Sequence, residues 1–414
     1  MNHAGCEMLV LLAPAPAIVL PSFRELAQLW RLLRAHSRAV GRRGASLRGL
    51  KRVSRVQAAL GEPHGFSAPQ YPPLDELRLA ARYATLASAS YGTFTPLLRV
   101  LPNTFGRGER LRTAWRALCR APSLGPNRAS FEAHTADGAA LNVSADLRAA
   151  DIVWAQWAPR LKRPSKDESR AYVPAHLVVV DRASRAVVLV VRGSLGLRDV
   201  VADLQVEPEA EDARWLAGCH GGMAGAARRL AALHEARLRE LLRANPGYRL
   251  VVAGHSLGAG VGFFAALRLR AALRSPFARA RVRAYCFAAP CCLPLASSRR
   301  HRRMCRSFVF EDDVVPRLSV GSLSHLLAGA ALRDDDDVVA HVRRGYARPA
   351  ADVRFPPGRL RLLPRGGRDA DGGGGWRSVD DRRALGVLRL RPSMFRDHGF
   401  DRYERALRGL IANR

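Results

Sequence analysis

The segment LVVAGHSLGAG, residues 250–260, sets Ser256 two residues after Gly254 and two before Gly258. A serine hydroxyl is a useful nucleophile only when a base can take its proton and donors wait for the oxyanion it creates. The apolar run 248–253 reads as a strand buried on both faces. Residues 259–270 contain no proline, carry bulky residues at helical spacing and read as a helix. Ser256 therefore falls where a strand turns abruptly into a helix. Gly254 and Gly258, with His255 and Leu257 beside the serine, let the two elements approach closely, and the helix N-terminus favours developing negative charge. The bland alternative is a glycine-rich turn whose serine only caps a helix. The serine's partners decide between the two.

In sheets built this way the partners follow in the chain order serine, acid, histidine. The strand-like segment SFVFEDDVVP, residues 307–316, offers Asp312 and Asp313 at its C-terminal end. The acidic run 334–337 follows no strand and is a poorer candidate. Downstream histidines are His325, His341 and His398. His398 lies between the apolar segment 385–390 and a closing helical stretch, where a base can swing over a sheet edge. His325 lies in a helix-like stretch and His341 in an arginine-rich one.

Positioning such groups requires a sheet. Apolar runs at 175–181, 186–193, 248–253, 282–290 and 307–316 alternate with helical stretches such as 221–243. Unbroken apolar strands alternating with helices predict an α/β fold with a mostly parallel sheet covered by helices. Further helices are expected over 74–89 and 110–120. The domain is expected over 74–414, with a low-complexity, mobile insertion at about 333–383 in which 359–363 reads as a possible strand. Residues 61–73, GEPHGFSAPQYPP, read as a linker, and residues 1–60 as a basic N-terminal extension.

The chain has 67 basic and 36 acidic residues among 414, for a net charge of +31, and only Lys51, Lys162 and Lys166 are lysines. Arginine is spread along the whole length, beside much alanine and glycine. Nucleic-acid surfaces cluster Lys and Arg with aromatics, so the excess reads as residue usage, and no nucleic-acid partner is expected. An anionic membrane surface is an expected partner. Seven cysteines form no C-x-x-C pair and no metal spacing; no metal, no other cofactor and no disulfide framework are expected, in a reducing intracellular compartment. No stretch reaches the roughly 18 to 20 apolar residues of a membrane span. The apolar run 8–21 is short, carries three prolines and lacks a basic flank before it. Residues 22–43 have a Ser22/Glu25 capping-box pattern, with Phe23, Leu26, Trp30 and Leu33 on one helical face and arginines on others. Such a helix suits peripheral membrane attachment or a plastid or mitochondrial transit segment.

Taken together, VLVVRGSLGLRDVVADL, YRLVVAGHSLGAGVGFFAALRLR, FVFEDDVVPRLS, PPGRL and PSMFRDHGFDRYERAL resemble the class 3, fungal-type lipases, most of all their sn-1-specific diacylglycerol lipase branch. The likeness runs in order over about residues 71–410. It implies an α/β-hydrolase fold and hydrolysis of an acyl ester of a glycerolipid, diacylglycerol first, with a phospholipase A1 or galactolipase activity as the alternative. An inert, basic membrane-binding protein on the same fold is the reading from another class. The resemblance implies Ser256 as nucleophile, His398 as base and Asp313 as orienting acid, because the family's aspartate immediately precedes two aliphatic residues and a proline. It places the oxyanion hole at Ser194 and the backbone N–H of Leu257, and a lid over 195–205. Animal relatives carry membrane helices upstream, a feature not expected here. In CHGGM, residues 219–223, Cys219 and Met223 depart from the family pattern, and His220 is expected to be structural.

Overall fold

The computed structural model describes residues 46–91, 145–157, 160–161, 172–193, 218–273, 282–365 and 375–414. Ser194, the expected lid 195–205, the stretch 22–43 and the expected helix 110–120 lie outside the described residues. The strands are β1 (Ile152–Gln156), the short antiparallel pair β2 (Arg160–Leu161) and β3 (Tyr172–Val173), β4 (His176–Asp181), β5 (Ala186–Val191), β6 (Arg249–His255), β7 (Arg283–Phe287), β8 (Cys305–Phe310), β9 (Arg359–Leu363) and β10 (Arg377–Ser378). The helices are α1 (Leu47–Ala59), α2 (Leu74–Ala89), α3 (Gly221–Ala244), α4 (Leu257–Ala272), α5 (Leu295–Arg300), α6 (Val320–Ala331), α7 (Asp335–Ala347) and α8 (Phe400–Ala412).

One eight-stranded sheet runs in the order β1-β4-β5-β6-β7-β8-β9-β10. The strands from β5 to β9 are parallel, and antiparallel pairs flank them: β1 with β4, β4 with β5, and β9 with β10. This is the mostly parallel, helix-covered arrangement that the alternation predicts, and it agrees with the α/β-hydrolase fold that the resemblance implies. Successive strand residues face opposite sides. Val187, Leu189 and Val252 pack with Leu230 of α3 and Phe263 of α4, whereas Val188, Val190 and Val251 pack with Leu77 of α2 and Leu407 of α8. Burial on both faces is why these strands read as continuous apolar runs.

A third apolar cluster lies beside the loop that follows β8. There Val53 and Val56 of α1 meet Val314, Val315, Leu323 of α6, Val338 of α7 and Met394. The end of the N-terminal segment is thus built into the domain: Gln57 donates from its side-chain amide to the Leu388 carbonyl at 2.8 Å, and its carbonyl oxygen accepts from Leu390 N–H at 2.9 Å. Residues 61–73 contain isolated bridges, Phe66 to Val379 and Gln70 to Trp376, that lay the segment alongside β10.

For the 333–383 insertion the expected mobile tract is corrected, whereas the strand read at 359–363 is present. The acidic run opens α7 rather than forming a mobile tract: Asp334 accepts from Asp336 N–H at 2.8 Å and Asp337 N–H at 3.2 Å, and Asp335, Asp336 and Asp337 occupy the first turn. Free amides and the positive end of the helix dipole suit carboxylates there. Residues 359–363 form an interior strand of the sheet, registered from Arg306↔Arg359 to Phe310↔Leu363. Residues 372–374 of the glycine run lie outside the described residues.

Candidate active site

Ser256 lies between β6 and α4 with φ 56° and ψ −131°, a backbone conformation that side-chain-bearing residues rarely adopt. Its N–H donates to the Phe287 carbonyl at 2.9 Å, and its carbonyl accepts from Ala259 N–H at 2.9 Å. These bonds pin the turn on both sides. A Cβ on Gly254 would lie 2.4 Å from the Gly258 carbonyl oxygen, and one on Gly258 would lie 2.2 Å from that of Val191. Both positions exclude any larger residue. Leu257 begins α4, so its N–H belongs to the first turn, where amides lack intrahelical partners.

The Ser256 hydroxyl donates to His398 Nε2 at 2.9 Å. His398 Nδ1 lies 3.0 and 3.1 Å from the two carboxylate oxygens of Asp313. A carboxylate only accepts, so Nδ1 carries the proton and the Nε2 lone pair faces the serine. His398 ends the 3₁₀ turn Arg396–His398, immediately before α8. Asp313 follows β8 through a tight turn in which Glu311 has φ 44°. Three residues far apart in sequence thus meet at the C-terminal edge of the sheet. A hydroxyl on such a chain can pass its proton to imidazole as it attacks a carbonyl carbon.

Asp313 is fully buried. Burial by itself raises its pKa, but the His398 charge, with hydrogen bonds from His398, Tyr403 and Val315 N–H, outweighs that and holds the carboxyl below its ordinary range. The Tyr403 hydroxyl donates to Asp313 Oδ2 at 2.5 Å, and Val315 N–H to Oδ1 at 2.9 Å. Asp312, the other aspartate in the sequence pattern, is ion-paired with Arg389 at 3.0 Å and does not face His398.

His255 supports His398. Its Nε2 donates to the backbone carbonyl of His398 at 3.0 Å, which leaves Nδ1 to accept from the Tyr91 hydroxyl, also at 3.0 Å. Burial first, then the His398 charge, pushes the His255 pKa down to about 3. The ring therefore stays neutral near pH 7 and keeps that hydrogen-bond direction.

Residues 188–322 match the lipase (class 3) family, a span that holds Ser256 and Asp313 and ends before His398. Over that span the chain is similar to class 3 lipases. The chain is 29% identical over 278 residues to diacylglycerol lipase-beta of Mus musculus, covering 64% of this chain and 37% of that protein. It is 34% identical over 93 residues to the secreted mono- and diacylglycerol lipase 1 of Fusarium solani, covering 22% of this chain and 28% of that one. The matches span about a third of the length of these curated relatives. The native Rhizomucor miehei lipase propeptide complex superposes with a TM-score of 0.48 at 14% identity, over 87% of this chain and 94% of that one.

Of the residues expected from the sequence, Ser256, Asp313, His398, His255, Gly254, Gly258 and Leu257 come together, while Ser194 lies outside the described residues. His325 and His341 stand elsewhere: their rings stack at 3.9 Å between α6 and α7, and His341 Nε2 donates to the His325 carbonyl at 2.8 Å. His220 caps α3, accepting from Met223 N–H at 3.4 Å. Among the described residues no three metal-ligating side chains cluster. Sequence reasoning missed Tyr91 and Tyr403. An aromatic at core spacing in an amphipathic helix reads as packing, and Tyr403 is that as well, in contact with Phe287 and Phe310.

Proposed function

We propose that this chain is a serine lipase that hydrolyses an acyl ester of a glycerolipid, with diacylglycerol as the substrate class. The observation that carries the reading is the unbroken Ser256–His398–Asp313 hydrogen-bond chain, at 2.9 and 3.0 Å, on a strained strand–helix elbow. The two curated relatives, both named for diacylglycerol hydrolysis, support the choice of substrate.

In this mechanism Ser256 Oγ attacks the ester carbonyl carbon while its proton passes to His398 Nε2. The oxyanion forms in front of the Leu257 N–H, with Ser194 as the second donor that the family resemblance implies. Asp313, ionised and buried, stabilises the imidazolium and holds the ring. The imidazolium then protonates the departing glyceride oxygen, leaving an acyl-serine. Water, deprotonated by His398, attacks the acyl carbon, and the fatty acid leaves as Ser256 regains its proton. The site acts at a lipid surface, to which the chain attaches peripherally. Among the described residues no helix is long and apolar enough to cross a membrane.

A fluorophosphonate probe tests the chemistry. Purified protein is expected to be labelled and Ser256→Ala not. The variant is also expected to lose about 10⁶ in kcat on a short-chain ester, with an unchanged circular dichroism spectrum. More than a few per cent residual activity in the pure variant removes Ser256 as nucleophile. A panel of diacylglycerol, phospholipid and galactolipid then decides the headgroup, with diacylglycerol expected to be turned over fastest.

A further inference from the structure

We propose that a cleft of about 590 Å³ between α1, α7 and the turn at Asp381 is a regulatory site for a small organic anion, a carboxylate or phosphate. Its volume falls within the range of small-molecule sites. Its polar lining includes Gln57, Glu62, Arg343, Tyr346, Asp381 and Arg383, over apolar surface from Leu60 and Val342. None of the residues of the proposed hydrolytic centre lines it.

Charge selects the ligand class. Arg343 is exposed and has no partner among the described residues. Arg383 donates to both carboxylate oxygens of Asp381, at 3.0 and 2.8 Å, and Asp381 also faces Arg299 at 3.9 Å. Glu62, the other acid in the lining, is already bound to Arg377. The acids are thus taken up by other arginines, and Arg343 is left as an uncompensated cation at the rim. A guanidinium in that state matches the two oxygens of a carboxylate or phosphate. The apolar surface accommodates the ligand's short hydrocarbon or glycerol body.

The walls reach the two segments that carry the hydrolytic pair. Gln57 holds the Leu388 carbonyl and the Leu390 N–H, and that segment continues through Met394, whose carbonyl accepts from Val314 N–H at 3.2 Å, to His398. Tyr346 packs against the same cluster as Leu388 and Met394, beside the Arg389–Asp312 pair that immediately precedes Asp313. A ligand that ordered Gln57 and Tyr346 would stiffen both segments at once. The regulatory role rests on the hydrolase reading, whereas binding to the cleft does not.

The test is isothermal titration of full-length protein, Arg343→Gln and Arg344→Gln with octanoate and, separately, with glycerol 3-phosphate. Arg344 is the control, exposed on the same helix but outside the cleft. The expectation is one site per chain for at least one probe, weakened about tenfold or more by Arg343→Gln and unchanged by Arg344→Gln. The probe that binds identifies the anion. No binding of either probe at millimolar concentration, equal losses in both variants, or binding untouched by Arg343→Gln would overturn the site. Hydrolysis of a soluble short-chain ester is then measured with and without the bound probe. At least a twofold change in kcat/KM that is lost in Arg343→Gln supports regulation; an unchanged rate overturns it. A protein without esterase activity would sink the hydrolase reading while calorimetry still decides the cleft.

Discussion

The Tyr403 hydroxyl reaches Asp313 Oδ2 at 2.5 Å while accepting the Phe310 N–H at 3.1 Å. Both side chains are buried, and burial together with the Asp313 charge raises the Tyr403 pKa well above its ordinary value, so the phenol stays a donor. The short stretch from the 3₁₀ turn into α8 thus supplies both His398, the proposed base, and the group that holds its carboxylate partner. Removing the hydroxyl leaves one carboxylate oxygen and one backbone amide short of a partner. Tyr403→Phe is expected to lower kcat about tenfold on a soluble ester with little change in KM, and to reduce stability by about 1–3 kcal/mol in urea unfolding. A loss of stability with kcat intact would make Tyr403 a packing residue only.

Asp313→Asn and Asp312→Asn separate the two adjacent acids. An uncharged amide in place of the Asp313 carboxylate could no longer stabilise the imidazolium or fix the tautomer, and a fall of about 10⁴ in kcat is expected. Asp312→Asn breaks only the pair with Arg389, so its effect is expected mainly in stability. Steady-state kinetics on both variants checks this; equal losses in kcat would contradict the geometry.

His255 predicts an acid sensitivity of the fold. Its pKa is lowered to about 3 in the native protein, whereas an unfolded chain titrates near the ordinary value of 6.5. Between those values the unfolded state binds the proton and the native state does not, so stability falls as pH drops through that window. The slope is at most about 1.4 kcal/mol per pH unit. His255→Gln keeps an amide that can donate to the His398 carbonyl but takes up no proton. The stability advantage of the wild type over His255→Gln is expected to shrink from pH 7 to pH 4 in parallel urea titrations. A constant difference would mean that His255 does not titrate as its burial implies.

The elbow was legible in sequence because its constraints are local: a double-faced apolar strand, two glycines and a helix start fall within a dozen residues. The distinction between Asp312 and Asp313 was not local. It depends on which carboxylate faces a ring 85 residues downstream, and only the family pattern selected Asp313 before the geometry did. The acidic run at 334–337 was misread because composition says nothing about where a helix begins, and Asp334 as a cap turns repelling charges into a favourable first turn. β9 was legible at 359–363 even though RLRLL carries arginines at alternate positions. Arg361 stays in the sheet by lying over the Trp376 ring, 5.4 Å from its centroid. Tyr91 and Tyr403 were invisible as polar partners because their rings satisfy the core pattern, and a sequence does not show where a buried hydroxyl points.

Membrane attachment is the last expectation, and the fold determines how it must be tested. The basic stretch 22–43 carries Arg24, Arg31, Arg34, Arg38, Arg42 and Arg43. Each arginine near an anionic surface contributes about 1 kcal/mol, so the set is sufficient for reversible binding even if half face away. A truncation at residue 61 would confuse the result, because it deletes α1, whose Val53 and Val56 are buried in the cluster beside Asp313 and whose Gln57 holds the segment leading to His398. The informative truncation begins at residue 46, where Ser46 caps α1 by accepting from Gly49 N–H at 3.0 Å. Full-length protein is expected to float with anionic liposomes at low salt and to be released as salt rises, because charge-driven binding is screened. The 46–414 chain is expected to lose flotation while keeping hydrolysis of a soluble ester. If it floats as well as the full-length protein, the basic stretch is not the anchor. A shortened N-terminus on protein isolated from cells would then point to a transit segment instead.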